Sequence, residues 1–278
     1  MVATLVIFLR EGVEASMIVA ILLAYLNRSG QRQYFRDVFI GVGAALLLAG
    51  AGGVIAYQTI TSYDGSRAQT IFETVTYLLA ATVLTYMTFW MRSHARGLSG
   101  ELRARADAAM TTGARTGMAL LAFQAVGREG LETVVFTLAI VLSTGGQHNA
   151  LLGAVIGLAV AMVIAFVIYR LGHRLNMGRF FSIVGGLLLV FAAGLLVDAI
   201  QNMQELGWLP VGRQVLWHSS ALLSQDSTWG DIAHSFLGYA DNPTLLQVLA
   251  YVGYVAVALA LLFNLRDKLG RRAAAPVH

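Results

Sequence analysis

Residues 8–17 read FLREGVEASM, and they lie inside a run, residues 2–26, that is otherwise made for hydrocarbon. An arginine and two glutamates near the middle of such a run decide how the rest of the chain is read. The chain has 278 residues, 57% of them hydrophobic and 12% charged, with apolar runs about 20 residues long, enough to cross roughly 30 Å of hydrocarbon. Seven spans are expected, at about 2–26, 38–57, 71–91, 117–142, 149–169, 180–200 and 246–265. A spanning segment must satisfy its backbone internally, and these runs lack the alternation of barrel strands, so the fold class is all-α: a polytopic membrane protein. No cleaved leader is expected, because no basic segment precedes the first apolar run. The chain has no cysteine, which removes disulfides and thiolate metal sites.

Basic residues give the orientation. Arg28, Arg32 and Arg36 fall between spans 1 and 2, Arg92, Arg96, Arg103, Arg105 and Arg115 between 3 and 4, Arg170, Arg174 and Arg179 between 5 and 6, and Arg266, Lys268, Arg271 and Arg272 after span 7. The other side has only Arg67 and Arg213. This bias places the N-terminus outside and the C-terminus in the cytoplasm. The net charge of +4 is then topological, and nucleic-acid binding is not expected.

Eight charges remain within spans: Arg10, Glu11, Glu14, Glu73, Arg128, Glu129, Glu132 and Asp198. A central charge costs roughly 2.5–3.5 kcal/mol on insertion scales, so groups of them must face protein, water or an ion. On a helix Arg10, Glu11 and Glu14 share an arc of about 100°. GREGLETVVF, residues 127–136, repeats the pattern with Arg128, Glu129 and Glu132. R-E-G-x-E thus occurs in spans 1 and 4, an offset of three spans. Three is odd, so spans 1–3 and 4–6 (residues 1–92 and 117–200) are expected to form two inverted three-helix repeats, followed by a seventh helix at 246–265 and a basic tail, 266–278. Residues 201–245 make an external, partly interfacial cap within this single membrane domain, 1–278. On straight helices Glu11 matches the depth of Glu132, and Glu14 that of Glu129. Arg10 can reach Glu14 and Arg128 can reach Glu132 at i,i+4, leaving two positive and four negative charges at midplane.

Four carboxylates without thiolate or intramembrane imidazole suit hard or borderline cations such as iron, manganese, magnesium or calcium, and the chemistry does not choose among them. The paired R-E-G-x-E motifs of a seven-span chain resemble the oxidase-dependent iron transporter family, the fungal high-affinity and bacterial ferrous iron permeases. FETVTYLLAATVLTYMTFWM at 72–91, AAGLLVDAIQNMQELGWLP at 192–210, LWHSSALLSQDSTWGD at 216–231 and GYADNPTLLQVLAYVGY at 238–254 resemble its bacterial branch. The resemblance implies inward iron movement across the plasma or bacterial inner membrane. It implies Glu11, Glu14, Glu129 and Glu132 as iron-handling residues, with Arg10 and Arg128 orienting them. Iron is then cargo, with no permanently bound cofactor. A periplasmic iron-binding protein and a haem peroxidase are the implied partners, as separate chains beside membrane lipid. A permease for another divalent metal such as manganese, a membrane metal sensor and an intramembrane metal enzyme are the competing readings.

Glu73 and Asp198, near the outer ends of their spans, form either an outer vestibule for the ion or a pair of solvated helix-end acids, in equal measure. His148, His218 and His234 are external and read most simply as solvated loop histidines. Met87, Met91 and Trp90 read as packing near the cytoplasmic interface, and Gly153 with Gly157 as a small-residue helix contact.

Overall fold

A computed structural model describes residues 1–63, 65–94, 97–144, 147–171, 177–225 and 227–274. Arg96, Arg174 and the last four residues of the basic tail lie outside the described residues. The chain is helical: α1 (Val2–Arg28), α2 (Phe35–Thr61), α3 (Arg67–His94), α4 (Leu98–Thr144), α5 (Gln147–Leu171), α6 (Met177–Glu205), α7 (Thr228–Leu237) and α8 (Leu245–Ala274). The expected spans fall within α1, α2, α3, the second part of α4, α5, α6 and α8. Four of these, α2, α3, α6 and α8, contain stretches long and apolar enough to cross a membrane by length and composition. In α5 the apolar stretch Ala150–Phe166 is shorter, while α1 and α4 carry the charges.

Local sequence ends the helices where expected. At the end of α1, Gly30 takes φ +73°, and the N–H groups of Gly30 and Gln31 donate to the carbonyls of Asn27 and Leu26 at 3.4 and 2.8 Å. This is the left-handed glycine stop that satisfies a helix's last carbonyls.

Small residues set the packing. α1 lies along α5, α2 along α4 and α3 along α6. Gly153 faces the Met1 carbonyl and Thr4, Gly157 faces the Leu5 carbonyl and Phe8, and Gly12 faces Ala161, so α1 and α5 run parallel. Gly41 faces Ala119, Gly130 faces Ala49 and Gly53 faces Val134, so α2 and α4 are parallel too. Thr88 meets Gly185 while Glu73 meets Asn202, which makes α3 and α6 antiparallel. A Cβ on Gly157 would stand 2.5 Å from the Leu5 carbonyl oxygen and 3.0 Å from Phe8 Cβ. Gly157→Leu is therefore expected to force α1 off α5 and cost about 1–3 kcal/mol, read as a lower melting temperature in detergent. Gly43→Leu, where a Cβ meets nothing within 4 Å, should leave the melt unchanged.

Two elements depart from a plain seven-span reading. The helical run α4 folds back on itself: the Ala109 carbonyl oxygen lies 2.5 Å from where a Gly117 Cβ would be, although eight residues of straight helix rise about 12 Å. Its first limb, from Leu98, thus packs beneath the second, with Leu102 and Ala106 in one buried cluster with Met118, Leu121, Ala122, Ile18 and Leu22. Tyr25 of α1 donates a hydrogen bond to Asp107 and ties the limb down. The second departure is α7, inside the segment expected to be external. It is capped by Ser227, whose Oγ accepts from the Gly230 N–H at 3.0 Å, and it ends at Gly238 with φ +68°. Gly238 abuts Gly194, midway along the expected sixth span, its Cα 2.9 Å from a Gly194 Cβ position. α7 therefore dips back among α6, α1 and α4.

Candidate functional site

The glutamates are where α1 and α4 cross. Glu11, Glu14 and Glu129 place one carboxylate oxygen each within 4.8 Å of one another, and all three are buried. This group brings together residues 118 positions apart in sequence, from both motifs. It also differs from the depth matching of straight helices, because Glu11 groups with Glu14 and Glu129 and not with Glu132, its match in depth. Three residues along a helix are only about 4.5 Å of rise, less than a glutamate side chain spans, so depth alone does not select the partner. Glu132 is instead held by Arg128, with Nε 3.0 Å from Oε1, and stays outside the group of three.

The two arginines differ in setting. Arg10 is 2% exposed and grips both glutamates of its own motif, with Nη1 2.9 Å from Glu11 Oε1 and Nε 3.0 Å from Glu14 Oε1. Arg128 is 45% exposed along its side chain and leans on α3, where its guanidinium lies 5.1 Å from the Trp90 ring centroid and Nη2 is 2.7 Å from Met87 Sδ. Met87 and Trp90, read from sequence as packing, thus also seat Arg128.

One oxygen of each of the four glutamates is buried without a hydrogen-bond partner: Glu11 Oε2, Glu14 Oε1, Glu129 Oε2 and Glu132 Oε2. Glu14 Oε1 is close enough to Arg10 for an ion pair but lacks hydrogen-bond alignment. Buried polar atoms of native proteins are nearly always satisfied, and an orphaned one costs about 1–3 kcal/mol, more when charged. The unpartnered oxygens of Glu11, Glu129 and Glu132, with Glu14 ion-paired to Arg10 beside them, are donors of the kind a hard or borderline cation takes.

Below them lies a cavity of about 160 Å³ lined by Glu14, Met87, Met91, Gln124, Arg128 and Glu129. Glu101, Leu102 and Arg105 of the first limb of α4 close it. A second, larger crevice of about 1210 Å³ between α1 with α5 and α2 with α4 touches Glu11 and Glu129, but its walls are mainly apolar. Glu73 and Asp198 are in different company from that expected of solvated helix ends. Glu73 accepts from Gln69 Nε2 at 2.9 Å and from Asn202 Nδ2 at 3.5 Å, and Asp198 faces His234 of α7. The sequence signal for the first limb of α4 was present in the apolar spacing of Leu102, Ala106 and Met110.

An all-helical chain with long apolar helices and a buried cluster of carboxylates paired to arginines has the build of a membrane protein that handles cations. Residues 1–269 match the profile of the iron permease FTR1 family, and the chain belongs to that family. It is 34% identical to the ferrous iron permease EfeU of Escherichia coli O6:K15:H31 over 273 residues, covering 98% of each chain. The Shigella sonnei protein of the same name is 34% identical over 269 residues, 96% of each chain. That of Yersinia pestis is 34% identical over 259 residues, 92% of this chain and 91% of its own length. No solved structure matches the chain.

Proposed function

We propose that the protein is a permease, not an enzyme, that imports iron across the bacterial inner membrane through the glutamates of its two R-E-G-x-E motifs. The observation that carries this reading is the grouping of Glu11, Glu14 and Glu129, with one oxygen each within 4.8 Å of the others, together with buried oxygens of Glu11, Glu129 and Glu132 that lack hydrogen-bond partners. In this reading the ion replaces the missing partners. Two arginines against four glutamates leave a formal charge of −2, which one divalent ion neutralises. Arg10 fixes Glu11 and Glu14 as a preformed half-site. Glu129 comes from the opposite half, and Glu132, held by the more exposed Arg128, is free to join as the ion passes. Release is toward the cavity beside Met87 and Gln124, which the first limb of α4 covers.

Helix pairing supports two inverted repeats. Exchanging α1 with α4, α2 with α5 and α3 with α6 turns the α1–α5 pair into the α4–α2 pair, and leaves α3–α6 and α1–α4 as themselves. These are the main pairings among the six helices. Inverted repeats put the site at their interface, where the glutamates lie. With α8 added, this reading has seven spans, and the bias of basic residues puts the N-terminus outside. Accessibility tags at the two ends are expected to report opposite faces, the C-terminal one cytoplasmic; both on one face would exclude an odd number of spans and the inverted repeat with it.

The direct test is radioiron flux into proteoliposomes, with the redox state held by ascorbate in one arm and a ferric chelate in the other. Iron uptake that resists excess manganese supports the assignment, while equal competition makes the protein a general divalent-metal permease. A periplasmic iron-binding protein and a haem peroxidase are the partners the family resemblance suggests, to be sought as separate chains at the outer face.

A further inference from the structure

One pair of metal-ligating side chains meets outside the glutamate cluster. Asp198 on α6 and His234 on α7 face each other with Oδ1 and Nε2 3.8 Å apart, and their side chains are 12% and 9% exposed. His234 Nδ1 lies 2.9 Å from the Tyr239 carbonyl oxygen. A carbonyl only accepts, so Nδ1 donates, and with that tautomer the lone pair is on Nε2, the nitrogen nearer Asp198. The 3.8 Å gap is too long for a hydrogen bond. It does fit two donors to one ion: with bonds of about 2.1 Å, donors are about 3.4 Å apart at the tetrahedral angle and about 4.2 Å apart at the linear limit. A backbone carbonyl on the far ring nitrogen is also how ligating histidines are oriented.

The pair's place in the fold links it to Glu73 along α6 and to the motif helices through α7. Asn202, one turn outward on α6, donates to Glu73, so an acidic rim stands above the pair. α7, which carries His234, packs against α6 and touches both motif helices, α1 and α4.

We infer that Asp198 and His234 form a second, outer metal station, binding a borderline divalent cation such as ferrous iron through one nitrogen and at least one oxygen. The assignment to iron rests on the permease reading; the site itself does not. The four glutamates offer only oxygen, so nitrogen ligation is the station's signature.

The experiment uses full-length protein in nanodiscs, with any polyhistidine tag removed, loaded with Mn²⁺ and read by pulsed electron paramagnetic resonance. Wild type is expected to show ¹⁴N coupling to bound Mn²⁺. His234→Gln should lose it together with one ion per chain, and Glu14→Gln should keep it. In proteoliposomes His234→Gln should raise the KM for iron by roughly tenfold or more with a smaller change in maximal rate, since losing even a ligand's outer partner costs about 10–100-fold. Asp198→Asn, which preserves shape, should weaken the nitrogen-coupled site if His234→Gln fails to fold. Absence of ¹⁴N coupling in folded wild type, or its persistence in His234→Gln, overturns the station. Nitrogen coupling without any iron flux overturns the permease reading alone.

Discussion

Glu129→Gln is expected to cut iron uptake by more than about tenfold while the protein inserts normally and melts no lower than wild type in the absence of metal. Glu129 is 6% exposed, and its carboxylate shares a 4.8 Å neighbourhood with Glu11 and Glu14. At an effective dielectric constant of 20, two like charges at that distance repel by about 3 kcal/mol, so neutralising one relieves the metal-free protein. The same change removes an anionic ligand from the second half-site. Even losing a ligand's outer partner typically costs 10–100-fold in affinity or activity. Metal should raise the wild-type melting temperature by mass action, about 2.7 kcal/mol at one hundred times Kd, and the variant should lose that response. A strut made only to hold helices together predicts the reverse, a lower melt for Glu129→Gln and no metal response in either protein. Near-normal flux in the variant would remove Glu129 from the path.

The pattern R-E-G-x-E was legible because helical periodicity is local: a rotation of about 100° per residue puts Arg10, Glu11 and Glu14 on one face whatever they later meet. The pairing of the two motifs was legible because they repeat. Which glutamate meets which was not, since crossing angle and side-chain reach enter only with the tertiary structure. The same limit applies to Arg10, expected at Glu14 and found on Glu11 as well. Its counterpart Arg128 has the same sequence neighbours but leans on Trp90 and Met87, so identical motifs are held differently by α3. The first limb of α4 was hidden by its charge, since Arg103 and Arg105 read as loop arginines although Leu102 and Ala106 share a buried face. α7 was hidden for another reason. Its ten residues are too few to cross a bilayer, and its packing against α6, α1 and α4, with Gly238 on Gly194, enters only with the tertiary structure. His234 was therefore read as a solvated loop residue, and nothing near it in sequence points to Asp198.

The unequal arginines lead to the second large effect. Arg10→Leu alone is expected to destabilise the protein by about 3–5 kcal/mol, because breaking a buried pair leaves its partners charged and unmatched. Here two partners are left, Glu11 at 2.9 Å and Glu14 at 3.0 Å. Arg128→Leu should cost less, since Arg128 is 45% exposed and its loss leaves one ion-paired glutamate unmatched in place of two. Replacing all of Arg10, Glu11 and Glu14 with leucine should restore most of what Arg10→Leu loses, because a buried ion network exchanged for apolar groups of similar volume is often neutral or stabilising. The triple variant should nevertheless carry no iron and bind none at the centre. Arg10→Lys separates charge from geometry: it keeps the cation but not the planar fork that holds two carboxylates at once, so uptake should fall while part of the stability remains. Thermal melts set beside radioiron flux for these four proteins decide the matter. Stability and transport falling and recovering together would make REGVE a helix clamp. Recovery of stability without transport means that the network's charges are kept in the membrane for the ion, at a cost to the fold that leucine would not impose.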